Sequence, residues 1–205
     1  MSNDFWFSMA IAVVVGGFWL YKKGKNAVLT IRKIHRSFKG VCLNPKSKLS
    51  DEQCKKLAVG AMYASQQGAY QNSIETGISD LLPKILGEWW GIESTDAAKE
   101  ELDYLCEKGY RYYFPFVYQA FLLGKPEAQD EIFQQNMTSQ EDYDKIVAQF
   151  QNLQETFDEL IRCKVVAEKE ELLHYGVAGW DAGRICFLAR ACCEMGYITE
   201  AEAWK

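Results

Sequence analysis

Asp181, Arg184 and Arg190 are the charged side chains of an otherwise apolar stretch near the end of the chain, GWDAGRICFLARACC. A carboxylate can act as a general base and guanidinium groups can hold an anion. With His174 nearby, these residues could serve hydrolysis or phosphoryl chemistry. The chain carries no H-E-x-x-H, G-x-S-x-G, P-loop or Cys/His metal spacing. The enzyme hypothesis is therefore an alternative, and it predicts no metal or cofactor.

The same residues could instead fix a buried helix to its neighbours. Asp181 and Arg184 are three positions apart, so they lie one helical turn from each other and can pair. Trp180 precedes Arg184 by four positions, which predicts a guanidinium lying on the indole. Arg190 points elsewhere on the helix, and we expect it to meet a carboxylate from another element. We expect that partner because unpaired buried charges are costly. Asp and Arg one turn apart on an apolar helix more often form a structural pair, so this interpretation is favoured over catalysis.

The elements around this stretch follow from its pattern. Gly179–Met195 is apolar on nearly every face, which predicts a central buried helix. Gly196 suits the left-handed residue after that helix, with Ile198 making the hydrophobic contact that follows. TEAE, from Thr199, predicts a capping box and a new helix. The residues that we assign to the structural motif are Trp180, Asp181, Arg184, Arg190, Gly196, Tyr197, Glu202 and Trp204.

The middle of the chain also has a helical pattern. Ser50 begins a second capping box, Ser94 or Thr95 begins a helix, and Gly109 suits a helix end. Half of the residues from Tyr110 to Leu123 are aromatic, which indicates a core segment and, as an alternative, a ligand groove. Alternating strand patterns are not evident. We therefore predict a mainly α fold, with a minor strand pair left open.

One long helix carries a heptad seam. Its apolar residues are spaced alternately three and four positions apart, as in a coiled coil. Val147 and Ile161 widen the stripe, which favours packing within the same domain, and a homodimer through the seam is the alternative. The seam consists of Tyr143, Ile146, Phe150, Leu153, Phe157 and Leu160.

The N-terminus is the strongest membrane signal in the chain. Residues 5–21 contain no charge, and a run of 17 uncharged residues reaches the lower limit for crossing a bilayer. Aromatic residues at both ends and lysines directly after the run are typical of an anchored span whose C-terminal side is cytoplasmic. The anchor residues are Trp6, Trp19, Tyr21, Lys22 and Lys23. The alternative is a buried N-terminal helix of a soluble protein.

Charge divides the chain. Residues 22–39 hold seven Lys or Arg and no acid, whereas residues from 40 onward hold 16 basic and 27 acidic residues. We expect the basic segment to contact anionic lipid headgroups. The acidic remainder disfavours nucleic acid as a partner and favours a basic protein. The predicted organisation is an anchor over residues 1–22, a basic segment and linker over 23–49, and a helical domain over 50–205.

Cysteine usage agrees with a cytoplasmic domain. The chain has seven cysteines, an odd number, with Cys192 and Cys193 adjacent and no C-x-x-C. This is poor usage for a disulfide framework and is typical of a reducing compartment. We expect the thiols to be buried structural groups. The predicted location is the inner (plasma) membrane, with a single pass, the N-terminus outside and the domain in the cytoplasm.

The stretch from Gly179 to Trp204 resembles the signature of the DUF1266 family, W-D-x-x-R, then R, then G-Y-I-x-x-x-E-A-W. WWGIESTDAAKEELDYLCEKGYR, from Trp89, is similar to a second family segment. The family is mainly bacterial, and its function is unassigned. Its members continue past the position of Lys205, which leaves open a domain that is incomplete at its C-terminus.

The resemblance implies fold relatedness and no particular reaction. Some family members resemble components of toxin–immunity neighbourhoods. Together with the acidic charge, this suggests a membrane-tethered protein-binding module, of the kind that would neutralise a toxin or effector. A structural scaffold in the membrane is a further alternative.

We expect the chain to remain in the membrane pellet after washing with alkaline carbonate, because a spanning helix is held by its buried apolar surface. Removal of residues 1–22 should release it. Recovery of the intact chain in the carbonate supernatant would contradict the anchor.

Overall fold

The computed structural model describes residues 40–205, and these residues are mainly helical. The helices are α1 Asp51–Ala58, α2 Ala61–Gln66, α3 Leu82–Lys84 with a π-helical turn Ile85–Trp89, α4 Thr95–Glu107, α5 Gly109–Leu123, α6 Pro126–Asn136, α7 Gln140–Arg162, a 3₁₀ turn Lys169–Glu171, α8 Leu172–Tyr175, α9 Ala178–Glu194 and α10 Glu200–Ala203. Residues 40–205 contain no strand, so the strand pair left open by the sequence is not found there.

The membrane prediction falls on other residues. The proposed span and the basic segment up to residue 39 lie outside the described residues. Within residues 40–205, no helix combines the length and apolar character that crossing a bilayer requires.

The predicted helix signals are confirmed where the structure describes them. The Ser50 hydroxyl accepts from the Gln53 amide at 3.3 Å, and the Gln53 side chain accepts from the Ser50 amide at 3.0 Å. Thr199 and Glu202 form the same reciprocal box at 3.2 and 2.8 Å. Hydrogen bonds from the Thr199 amide and hydroxyl, followed by one from Lys99, lower the pKa of Glu202 to about 2.

The corner after α9 is also as predicted. Gly196 has a φ of +76°, and the Tyr197 amide donates to the Cys192 carbonyl at 2.9 Å. The Gly196 amide donates to Cys193 at 3.0 Å, which completes a Schellman motif. Ile198 then enters the core, so the corner both ends α9 and directs the chain into α10.

Two apolar clusters form the interior. The first surrounds α9, where Phe187 and Leu188 are fully buried with Leu86 and Leu105. α9 is therefore the central helix that its apolar composition predicts. The second cluster lies between α5, α6 and α7.

The second cluster uses the heptad seam inside the domain. Ile146 and Phe150 are buried, and the other four seam residues pack against the same cluster. Val117 and Tyr113 reach it from α5, so part of the aromatic run is core as expected. The seam is thus occupied by intrachain packing, as the widened stripe indicated.

Cysteine burial is less complete than expected. Cys192 is buried, and burial raises the pKa of its thiol to about 12. Cys106 and Cys163 are exposed, because they lie near the solvent-facing ends of α4 and α7. All seven thiols are free, in agreement with the predicted absence of a disulfide framework.

Replacing Phe133 by Ala should test the second cluster. Phe133 is fully buried and meets Phe150 edge-on at 5.6 Å between ring centroids. We expect a loss of about 3–5 kcal/mol in the free energy of unfolding, measured by urea denaturation. Leu123→Ala, at a position that is 50% exposed, should change it by less than about 0.5 kcal/mol. Equal effects of both substitutions would contradict the assignment of this core.

Candidate functional site

Asp181 is a cap for a helix other than its own. It has no exposed surface, and its two carboxylate oxygens accept from the backbone amides of Tyr110 at 3.0 Å and Arg111 at 2.8 Å. These amides belong to the first turn of α5, which has no partner for them within the helix. The carboxylate also lies at the positive end of the α5 dipole. Asp181 therefore fastens the start of α5 to the first turn of α9.

Gly109 makes this close approach possible. It has a φ of +57°, the left-handed conformation predicted for a helix end. A Cβ at this position would lie 2.6 Å from Asp181 Oδ2. Glycine is thus required both for the turn between α4 and α5 and for contact with the carboxylate.

Arg184 completes the neutralisation of Asp181. Its Nη2 donates to Asp181 Oδ1, as the spacing predicted. Its guanidinium lies over the Tyr110 ring at 4.1 Å and faces Trp90 at 5.9 Å. The predicted stacking on Trp180 is wrong, because Trp180 turns the other way and packs edge-on against Tyr63 at 5.2 Å.

Arg190 holds a loop. It is 2% exposed and donates to backbone carbonyls, namely those of Tyr70 at 2.6 Å, Glu75 at 3.2 Å and Ile74 at 3.4 Å. The prediction of a carboxylate partner for Arg190 is wrong, because the backbone carbonyl groups of this loop satisfy the guanidinium instead. Burial lowers the pKa of Arg190 from its ordinary value.

Glu194 was not singled out from the sequence. Its carboxylate accepts from the Thr76 amide at 2.6 Å, from the Thr76 hydroxyl at 2.7 Å and from Ser79. It lies one turn after Arg190, so both residues face the same loop. That spacing was the available signal, but nothing in the local sequence identified the loop as the partner.

The four residues of the enzyme hypothesis do not form one accessible site. Asp181 has no exposed surface, and His174 lies exposed on α8. Arg184 and Arg190 serve two separate networks. The described residues also contain no group of three or more His, Cys, Asp or Glu placed to hold a metal ion. This geometry favours the structural interpretation of the motif.

An accessible polar cavity of about 350 Å³ lies between α4 and the start of α7. We call it the acidic pocket. Its charged lining residues are Glu100, Glu101, Lys108, Glu141, Asp142 and Lys145. Four acids against two lysines make the wall negative.

Asp142 is the most heavily bonded of these acids. It accepts from Tyr113 at 2.7 Å, from Ser139 at 3.0 Å and from Lys108 at 3.1 Å on each oxygen. The Tyr113 hydrogen bond, followed by those of Lys108 and Ser139, lowers the pKa of Asp142. Asp142 therefore builds the wall and is not available to a ligand.

Glu101 differs from Asp142. It is half-buried, and within residues 40–205 its carboxylate has only charge interactions and no hydrogen bond. Burial raises the pKa of Glu101, while the more distant charges of Lys145 and Arg184 lower it. A half-buried carboxylate without a direct partner is well suited to receive a cation.

A second cavity shares one lining residue, Lys145, with the first. It has a volume of about 490 Å³ and lies between α5, α7 and the start of α9. We call it the aromatic groove, because Tyr110, Phe114 and Trp180 line it with Val117 and Leu153. Lys145 lines both cavities, and its ammonium lies 4.0 Å from the centre of the Tyr104 ring.

Both cavities border the capped end of α5, where Lys108 lines the acidic pocket and Tyr110 lines the groove. Tyr110 carries the amide bound by Asp181, lines the aromatic groove and stacks under Arg184. Trp90 faces Arg184 from the acidic pocket. The buried motif thus supports one wall residue of each cavity, Tyr110 in the groove and Trp90 in the pocket. The aromatic run gave a signal for the groove, whereas Glu101 and Lys145 resembled ordinary surface charges in the sequence.

The chain thus forms a helical domain around the buried helix α9. Asp181 of this helix caps α5, which lies beside an open groove. The DUF1266 family, described as a protein of unknown function, matches residues 85–205. This range covers more than half of the chain and includes both the motif and the groove. The chain belongs to the DUF1266 family. No curated protein and no solved structure matches it.

Replacing Asp181 by Asn should destabilise the domain by about 3 kcal/mol, because the new amide nitrogen would face backbone amides and a guanidinium, which are all donors. Urea denaturation followed by circular dichroism measures this change. Asp158→Asn, on the exposed side of α7, is the matched control and should be neutral. A fully stable Asp181→Asn protein would contradict the structural role.

Proposed function

We propose that this protein is a membrane-tethered protein-binding module whose ligand site is the acidic pocket together with the aromatic groove. The observation that carries the proposal is that Lys145 lines both cavities, with the half-buried Glu101 in the acidic pocket and aromatic walls in the groove. Such a site fits a segment that presents a basic side chain next to apolar ones. Clefts with apolar walls and a few placed polar groups are typical binding sites.

The charge of the chain supports a basic partner. Residues from 40 onward carry 27 acids against 16 basic residues, so a cationic partner would be attracted from a distance. The N-terminal anchor over residues 5–21 and a cytoplasmic location would place the site beside the inner membrane. An immunity-type role is one case of this binding, in which the partner is a basic toxin or effector.

Selection of short peptides from a random display library on the full-length chain tests the site. We expect the selected peptides to combine Lys or Arg with aromatic or aliphatic residues. Glu101→Gln should weaken their binding about five- to tenfold, which is about 1–1.4 kcal/mol. Glu107→Gln, on the same helix and outside the pocket, should leave the Kd unchanged.

The pH dependence gives an independent readout. The carboxylate of Glu101 must be ionised to attract a cation, and its pKa is raised by burial. Binding should therefore weaken as the pH falls through that raised pKa, before ordinary glutamates titrate. Glu101→Gln should remove this component of the pH dependence. A profile that is identical in the variant would contradict the role of Glu101.

The apolar part of the site has its own test. Ala148 is an exposed residue that lines the aromatic groove, so Ala148→Arg should fold normally while adding a bulky cation to the groove. It should reduce the affinity for the selected peptides, whereas Gln151→Arg, exposed on the same helix, should not. Selection of acidic peptides, or equal effects of the two arginines, would overturn the proposal.

A further inference from the structure

The α1–α2 corner of the domain carries exposed apolar side chains that belong to neither apolar cluster. Val59 is 59% exposed and Met62 is 61% exposed. They lie three positions apart, at the turn that joins α1 to α2. The opposite side of α2 is buried, since Tyr63 and Ala64 belong to the core around α9. The outward face of α2 therefore has a defined orientation.

The chain enters the domain along this same face. The Gly40 carbonyl accepts from the Ser65 hydroxyl at 3.1 Å, and the Cys42 carbonyl accepts from the Gln71 amide at 2.9 Å. Val41 lies between these two contacts and is 67% exposed. Three exposed aliphatic residues thus lie where the basic segment reaches the domain. We call Val41, Val59 and Met62 the entry patch.

Charge also distinguishes this corner. Residues 40–67 carry four lysines against two acids, whereas residues 68–205 carry 12 basic residues against 25 acids. Lys55 and Lys56 lie on α1 within one turn of Val59, and both are exposed. One of the two acids, Glu52, pairs with Lys56 at 3.6 Å. Apolar side chains next to lysines are typical of surfaces that rest on anionic lipid.

We infer that the entry patch and its lysines form a second membrane contact, in which the folded domain rests on an anionic lipid surface. The inference rests on the membrane tether of the proposed function, and it goes beyond it by giving the domain a fixed orientation. Eighteen residues separate the predicted span from residue 40, so the tether would hold the patch at an effective concentration on the order of millimolar. A weak contact is then sufficient.

The two lysines Lys56 and Lys84 provide a matched test. Each pairs with a glutamate four positions away, at 3.6 and 3.7 Å, and their side chains are 65% and 60% exposed. The full-length chain is reconstituted into vesicles of phosphatidylglycerol and phosphatidylcholine, into pure phosphatidylcholine vesicles and into detergent micelles. Amine acetylation at each lysine is then followed by mass spectrometry.

We expect acetylation of Lys56 to slow several-fold in the anionic vesicles relative to the micelles, while Lys84 reacts equally in both. The protection should decrease in phosphatidylcholine alone. The double substitution Val59→Gln and Met62→Gln should reduce it. Leu173→Gln, at a position that is 60% exposed and lies outside the patch, should not.

Each other outcome overturns the inference in a recognisable way. Equal acetylation of both lysines in anionic vesicles would mean that the domain does not rest on lipid. Protection of Lys56 that is as strong in micelles would mean that residues 1–39 of the chain cover the patch. Failure of the chain to float with the vesicles would remove the tether itself, and with it this contact, whereas the peptide-binding site would still stand.

Discussion

The carboxylate of Asp181 is the constraint on which the described part of the fold depends. It lies on the central helix α9 and caps the first turn of α5, so it joins the helix at the centre of the first apolar cluster to a helix of the second. Burying this charge is acceptable because two amides, Arg184 and the Arg111 guanidinium at 3.5 Å surround it. Gly109 has to be glycine for the same reason, since any Cβ would displace the carboxylate. The motif is therefore a single structural unit, formed by Asp181 and Arg184 of α9 together with Gly109 of α5.

The same structural unit also shapes the surface around the acidic pocket and the aromatic groove. Arg184 satisfies Asp181 on one side and supports the rings of Tyr110 and Trp90 on the other. These rings belong to the walls of the aromatic groove and the acidic pocket. A buried ion pair and an accessible cleft are thus mechanically linked. Loss of the motif would therefore move the walls of both cavities, although its carboxylate has no exposed surface.

Local sequence signals were sufficient to predict the helices and turns. The long-range contacts could not be predicted from them. Some features depend only on residues within a few positions of each other, so the local sequence is enough to predict them. These are the capping boxes at Ser50 and Thr199 and the turn at Gly196. The buried character of α9 is likewise a property of its own composition. The partners of Arg190 lie about 115 to 120 positions away and are backbone carbonyls, which no side-chain pattern reveals. The predicted stacking of Arg184 on Trp180 was wrong because the fold places other rings, those of Trp90 and Tyr110, beside the guanidinium. Both residues are distant in sequence, so the local spacing did not indicate them.

The candidate site lies at the limit of such reasoning. The aromatic run indicated either a core or a groove, and α5 serves both, since Tyr113 faces inward while Tyr110 and Phe114 line the cavity. Glu101 became notable only through its surroundings, because a carboxylate is unusual when it is half-buried and lacks a direct partner. Asp142, on α7 in the same pocket, shows the contrast: four hydrogen bonds satisfy it, and they lower its pKa. These two acids of the cavity thus differ: the domain satisfies Asp142, whereas Glu101 has no hydrogen bond within residues 40–205. Under the proposed function, this difference, rather than the net charge of the chain, would give the site its selectivity for a cation.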